Sequence, residues 1–166
     1  LVEIANVSET PEYFSPSSTG AWDGQSWWCA EDGGYGDAWL QGISSPEVLI
    51  PEGANLSAMM QWSIESPNGA AVGGTCTDGW DAANVRISID GGETWNLLTG
   101  DDPYDFYYGY GWLYNDTEYD CGGSLEQLAA GWGGQQDWHE VNFDLSAYAG
   151  ESAIIQFAFG SDPAYS

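Results

Sequence analysis

Between Asn55 and Leu98 apolar side chains recur at every second position, and few chains with that pattern can be anything but layered β-structure. Leu56, Ala58, Met60, Trp62 and Ile64 alternate with Ser57, Met59, Gln61, Ser63 and Glu65. A period of two sends the two sets to opposite faces of an extended ribbon, so a strand with one buried face is expected. A second run follows a Gly-rich stretch, with Ala83, Val85, Ile87 and Ile89 inward and Asn84, Arg86, Ser88 and Asp90 outward. Asp90-Gly91-Gly92 tolerates the positive φ of a tight turn, and Thr94-Trp95-Asn96-Leu97 starts a return strand. This is a β-hairpin, because right-twisted strands joined closely need Gly, Asn or Asp between them.

The flanks carry the same pattern. Leu1, Val2, Ile4 and Val7 suggest a short edge strand. The stretch 43–51 reads as a strand interrupted at Pro46, which suits an edge or a bulge. Trp138, Glu140, Val141, Phe143 and Leu145 make a strand with a slip near its start, and Ala153, Ile155, Phe157 and Phe159 make the last. With 23 glycines and no capped amphipathic helix, the expectation is one all-β domain over residues 1–166, built as an antiparallel sandwich. From about 99 to 137 the period is lost, and Tyr104, Phe106, Tyr107, Tyr108, Tyr110, Trp112 and Tyr114 crowd among Asp and Gly. Loops this long in compact domains serve a function or lack order, and aromatic density favours order.

Charge removes some roles. Lysine is absent, Arg86 is the sole arginine, and 26 Asp and Glu give a formal charge of −25. Such a surface repels phosphate backbones and anionic lipid, which disfavours nucleic-acid and membrane-surface roles. It attracts cations, Ca²⁺ foremost among those that prefer carboxylate and carbonyl oxygen. Solubility in a saline habitat accounts equally well for most of the charge. No stretch approaches the roughly 20 apolar residues of a membrane span. Of three cysteines, Cys76 and Cys121 fall in loops expected at the same end of the sheet, so they are paired as a disulfide and Cys29 is left over. No cysteine or histidine spacing suggests zinc.

Several phrases, in order, resemble one bacterial family. They are Ser26-Trp27-Trp28-Cys29, Ser45-Pro46 before an apolar run, Gln61-Trp62-Ser63-Ile64-Glu65 and Gly79-Trp80-Asp81. They continue with Ile87 to Trp95 (ISIDGGETW), Phe143 to Gly150 (FDLSAYAG) and Phe159-Gly160-Ser161-Asp162. The set is similar to the jelly-roll accessory domains beside immune-inhibitor-A-type (M6-like) secreted metalloproteases, and to the MAM-like and choice-of-anchor J groups. The resemblance implies two antiparallel sheets face to face, no catalytic machinery, an extracellular or cell-surface setting, and Ca²⁺ held by Glu65, Asp81 and Asp162. It also implies a closing strand with an aspartate pair that does not occur before Ser166. From that follows an expected donor strand, contributed by another segment or subunit.

The chemistry read from the residues themselves is that of binding. His139 is the only histidine and follows Trp138 on a strand with no nucleophile elbow, so no hydrolase triad is expected. Carboxylate pairs for glycoside hydrolysis are uninformative here, since 26 carboxylates satisfy any separation by chance. Asp78, close to Asp81 in sequence, is a further candidate metal ligand, and Asp101-Asp102 a candidate second cluster. Tyr104, Tyr107, Tyr108, Tyr110, Trp112 and Trp80, with Trp132 nearby, are the candidate surface for carbohydrate or protein, because flat amphipathic rings stack and anchor at small entropic cost. The same loop could equally pack on itself. The expected function is therefore a non-catalytic, calcium-stabilised binding or adhesion module. A surface-layer, adhesin or filament subunit joined by strand complementation is the alternative. Sequons at Asn6, Asn55 and Asn115 permit N-glycosylation.

Overall fold

The computed structural model describes residues 12–115 and 128–164. The chain is an all-β sandwich. In order it forms β1 (Phe14–Ser17), β2 (Ser26–Cys29), β3 (Leu40–Ser44), β4 (Val48–Leu49) and β5 (Asn55–Ser63). Then come β6 (Ala82–Ser88), β7 (Asn96–Leu97), the short helix α1 (Tyr110–Asn115), β8 (Gln135–Asp144) and β9 (Ser152–Gly160). One sheet has the order β3-β9-β6-β7, with β4 extending along β9. Opposite it lie two separate antiparallel pairs, β5-β8 and β1-β2.

Alternation correctly marks the faces that meet. Val85 and Ile87 of β6 with Ala153 and Ile155 of β9 pack against Val141 and Phe143 of β8, with Leu56, Met60 and Trp62 of β5 completing the layer. The expected hairpin is present, Arg86 facing Leu97 and Ile87 facing Asn96. Its turn is held by side chains. Ser88 donates its hydroxyl to Asp90 Oδ1 (2.7 Å), Gly92 N–H donates to Ser88 Oγ, and Thr94 N–H donates to Asp90 Oδ1. Gly91 and Gly92 take φ of 77° and 95°, the left-handed region open to glycine. The break at Pro46 separates β3 from β4, and the register along β9 slips by one residue between them. There the Ser45 side chain takes over the ladder, its Oγ accepting from Ile155 N–H at 3.0 Å. The slip expected early in the 138–145 strand also occurs: Met60 pairs with His139 but Trp62 with Gln136, leaving one extra residue on β8.

Two expectations require correction. Ile89 does not point inward; the strand ends at Ser88 and Ile89 is exposed. Asn84, Arg86 and Ser88 face away from the sandwich core, yet all three are buried. A further layer covers that face, because the loop at Phe106, α1 and the chain around Ala129 pack Phe106, Trp112 and Ala129 onto Ala82 and Ala158. Asn84 Nδ2 donates to the carbonyls of Leu128 (2.9 Å) and Ala130 (2.7 Å). Arg86 Nε donates to Asn84 Oδ1, and its guanidinium lies 4.0 Å from the centre of the Trp112 ring. The one arginine of an acidic chain thus serves packing. This layer needs Gly111, where an added Cβ would meet the backbone of Gly160 and Ser161, at 2.6 Å from the Gly160 carbonyl carbon. Backbone cannot yield as a side-chain tip does, so Gly111→Ala is expected to cost about 1–3 kcal/mol in a denaturant melt. A change within about 0.5 kcal/mol would show that α1 sits looser than this packing requires.

Part of the sequence reading falls outside the described residues: the Leu1–Val7 run, Asn6, and Cys121, the expected partner of Cys76. Cys76 is a half-cystine and Cys29 is a free thiol. Among the described residues no helix is long and apolar enough to cross a membrane.

Candidate metal centre

Three strand ends converge. Glu65 follows β5, Asp81 immediately precedes β6, and Asp162 lies just past β9. Because Ala82 pairs with Gly160, the β6-β9 ladder itself delivers Asp81 and Asp162 to one spot. Asp162 N–H donates to Asp81 Oδ1 at 2.7 Å. Glu65 is carried across from the other layer, its carbonyl accepting from Gly134 N–H at 2.9 Å. One carboxylate oxygen from each of the three lies within 4.8 Å of the others.

The surroundings place these groups but leave their charge unanswered. Tyr35 joins the two layers: its phenol oxygen accepts from Glu65 N–H at 2.9 Å and its hydroxyl donates to Asp81. Segment 36–39 wraps Asp162. Ala38 N–H donates to the Asp162 carbonyl at 2.6 Å, and Ser161 Oγ accepts from Trp39 N–H and donates to Gly36. Ala38, at φ 58°, is the one non-glycine residue at positive φ among the described residues. Backbone held in that region is characteristic of sites whose surroundings over-determine the chain. Asp81 is only 1% exposed. Its Oδ2, like Glu65 Oε2, is a buried oxygen with no hydrogen-bond partner. A buried acceptor left unpaired costs free energy, which a proton, an ordered water or a cation relieves.

Electrostatics points the same way. Burial, then the nearby charges of Asp81 and Asp162, pushes the Glu65 carboxyl up to about 7. Burial chiefly, with Asp162 and Asp37 adding, pushes Asp81 up to about 6 against the opposing hydrogen bonds from Asp162 and Tyr35. Asp162 is raised as well, by burial and by Asp37. Three carboxylates in one cradle therefore hold their protons to higher pH than free carboxylates do, and a cation would compete for the same oxygens. The donors are all hard oxygen, the set suited to Ca²⁺ or Mg²⁺ and unlike the nitrogen and sulfur ligands of a transition-metal centre. The residues present fit a divalent metal.

Other candidates are distributed differently. Asp78 is outside the convergent set because its oxygens accept from the backbone N–H groups of Tyr107 (3.2 Å) and Tyr108 (2.6 Å). Asp101 accepts from the backbone N–H and the side-chain amide of Asn142. Asp102 lies 2.9 Å from His139 Nε2, and His139 Nδ1 lies 2.9 Å from the Asp137 carbonyl. Both partners are acceptors, so this pair suits a doubly protonated imidazole. Burial lowers the His139 pKa, but these two partners outweigh it and the net shift is upward.

The aromatic surface expected from Tyr104 to Tyr114 does not assemble as one face. Trp112 is buried over Arg86. Tyr104 is an internal strut whose hydroxyl bonds Leu98 O (2.6 Å) and accepts from Val85 N–H, while its ring packs 4.6 Å from that of Trp132. Trp132 is itself the largest fully buried side chain among the described residues. Trp80 and Tyr110, both half-buried, meet edge-on, and Tyr108 is half-buried, which leaves Tyr107 and Tyr114 exposed, at 60% and 48%. Burying large rings is worth more than exposing them, so a loop this aromatic supplies core. Sequence reasoning assigned no role to Tyr35 or Asp37. Tyr35 sits in an acidic Gly-rich run (EDGGYGD), and no local pattern tells that its phenol spans two layers.

Comparison with known proteins returns no matching family model and no matching curated sequence. The jelly-roll resemblance therefore rests on the phrases quoted above.

Proposed function

We propose that the chain is a non-catalytic, extracellular binding or adhesion module whose sandwich is clamped at one end by calcium bound to Glu65, Asp81 and Asp162. The observation that carries this reading is the pair of buried, unpartnered carboxylate oxygens in a cluster drawn from both layers. Calcium takes six to eight oxygen ligands, so backbone carbonyls and water complete a shell that the triad begins. Ion binding there ties the end of β5 to the ends of β6 and β9, which makes the metal a structural fastener. The lone histidine fits this assignment, since Asp102 and Asp137 engage both its nitrogens.

Recognition of carbohydrate or protein at the aromatic loop is assigned to exposed Tyr107, with half-buried Tyr108 and Trp80 as further candidates. Tyr107→Ala is expected to leave the melting midpoint within about 0.5 kcal/mol of the parent, as surface changes do. Polysaccharide pull-down or glycan-array binding is expected to drop at the same time. Binding unchanged by that substitution would remove the aromatic loop as the recognition surface. Calcium itself is tested by melting with and without chelator, as developed below.

A further inference from the structure

Among the described residues the sheet containing β5 and β8 holds those two strands alone. β5 pairs only with β8 and β2 only with β1 among the described residues, so each presents one hydrogen-bonding edge to no strand. A cleft of about 740 Å³ lies between them. Its walls include every residue from Ser26 to Ala30 and from Ala58 to Ile64, inward-facing and outward-facing alike. The opposite sheet lines the cleft with Ile43, Ala83, Asn84 and the stretch from Phe157 to Phe159. Trp27 at the rim is 61% exposed.

We infer that this cleft receives one β-strand from a partner polypeptide, apolar at alternate positions and flanked by Lys or Arg, which joins β2 to β5. The occupant's chemistry follows from three features. Two open backbone edges need both N–H and C=O groups in register, which a peptide supplies and an acyl chain or sterol does not. A largely apolar wall on one side and solvent on the other select alternation of period two. The charge of −25, with the sole arginine only 7% exposed, selects a basic flank and opposes a second copy of this chain, which would bring −25 of its own. The inference names a partner class for the binding module proposed above. It rests on that reading for the binding role alone and makes no use of the metal.

The test uses the full chain and a synthetic peptide of about ten residues, the length of β8, alternating Val or Phe with Ser or Thr and carrying two lysines at each end. Binding is followed by calorimetry and by tryptophan fluorescence, since Trp27, Trp28, Trp62 and Trp138 line the cleft. The peptide is expected to bind and to lose at least about tenfold in affinity when its order is scrambled or its lysines become glutamates. Ala58→Trp, which fills the cleft, and Trp27→Ala, a rim change that spares the core, are each expected to weaken it by a similar factor. Carbonyl-labelled peptide is expected to show an extended-strand amide band when bound. Equal binding of the scrambled peptide overturns the proposal, as does dodecanoate binding to a chain that ignores the peptide. Concentration-dependent dimers that exclude the peptide assign the cleft to a second copy and overturn it too. So does tightening of peptide binding by about tenfold in the Leu1→Ser, Val2→Ser, Ile4→Ser variant, which would assign the cleft to the chain's own first residues. Each titration is run with calcium and with chelator, so loss of peptide binding and loss of the calcium response are read separately.

Discussion

Calcium at about a hundred times its dissociation constant is expected to stabilise the chain by about 2.7 kcal/mol, raising the melting temperature by roughly 5–10 °C at pH 8. At pH 5 the rise is expected to shrink severely, and the reason lies in the direction of the carboxyl shifts. Glu65 and Asp81 titrate near 7 and near 6 in the folded chain, above their ordinary values of 4.5 and 3.8. Across that window the folded state holds protons that the unfolded state has released, so stability falls as pH rises. The contribution of these groups to the metal-free fold is complete below about 4 and is lost as pH climbs through 6 and 7. A cation competes for the same oxygens, and its stabilisation grows over the same interval as the protons leave.

Asp81→Asn separates this account from general ionic effects. The amide keeps an oxygen for Asp162 N–H and removes one of the crowded charges. The metal-free variant is therefore expected to melt above the metal-free parent at pH 8 while losing the response to calcium. Scanning calorimetry of both proteins, in calcium and after stringent chelation, reads the result. A parent melt indifferent to chelation at pH 8 would end the metal assignment. A calcium response intact in Asp81→Asn would move the ion elsewhere on this acidic surface. Exposed Asp90, Asp101 and Asp144 act in the opposite sense: hydrogen bonds hold their carboxyls below the ordinary range, so what they contribute is present above about pH 4 and fades on acidification.

Trp132→Ala is expected to cost about 3–5 kcal/mol, a large share of the 5–15 kcal/mol that holds a domain of this kind together. The ring is 1% exposed and sits among those of Trp62 (5.2 Å), Tyr104 (4.6 Å) and Phe143 (6.5 Å), so it packs on β5, on β8 and on the Tyr104 strut. Its backbone also pairs with Ala83, donating at 2.9 Å and accepting at 3.1 Å, so the cavity would open where the 128–132 segment is bound to β6. Trp132→Phe retains most of the apolar volume and removes an indole N–H that has no partner, and it is expected to cost markedly less. Urea unfolding of the two variants gives the comparison. A loss under about 1 kcal/mol for Trp132→Ala would mean that the core is organised around other rings.

Hairpin, edge and bulge were legible because each depends on neighbours within a few residues: Asp90-Gly91-Gly92 for the turn, Pro46 for the interruption, the mismatched alternation around Trp138 for the extra residue. Asp81 and Asp162 came from the resemblance, and their meeting follows from the register that pairs Ala82 with Gly160. Asp78 was a further candidate ligand by its nearness to Asp81 in sequence, but it lies outside the convergent set and its oxygens accept from the backbone amides of Tyr107 and Tyr108. Tyr35 could not be found at all, since nothing local distinguishes a phenol that braces two layers from one facing water.

Alternating side chains thus determined, unaided, that the chain makes antiparallel ribbons and which residues of β5, β6, β8 and β9 form their common interior. Tertiary structure alone decided that the other side of β6 is also covered, that Arg86, Trp112, Tyr104 and Trp132 are packing, and that β2 and β5 pair with no further strand among the described residues. The cause is geometric: periodicity tells which side of a ribbon a residue occupies, whereas what lies against that side depends on segments far away in the chain.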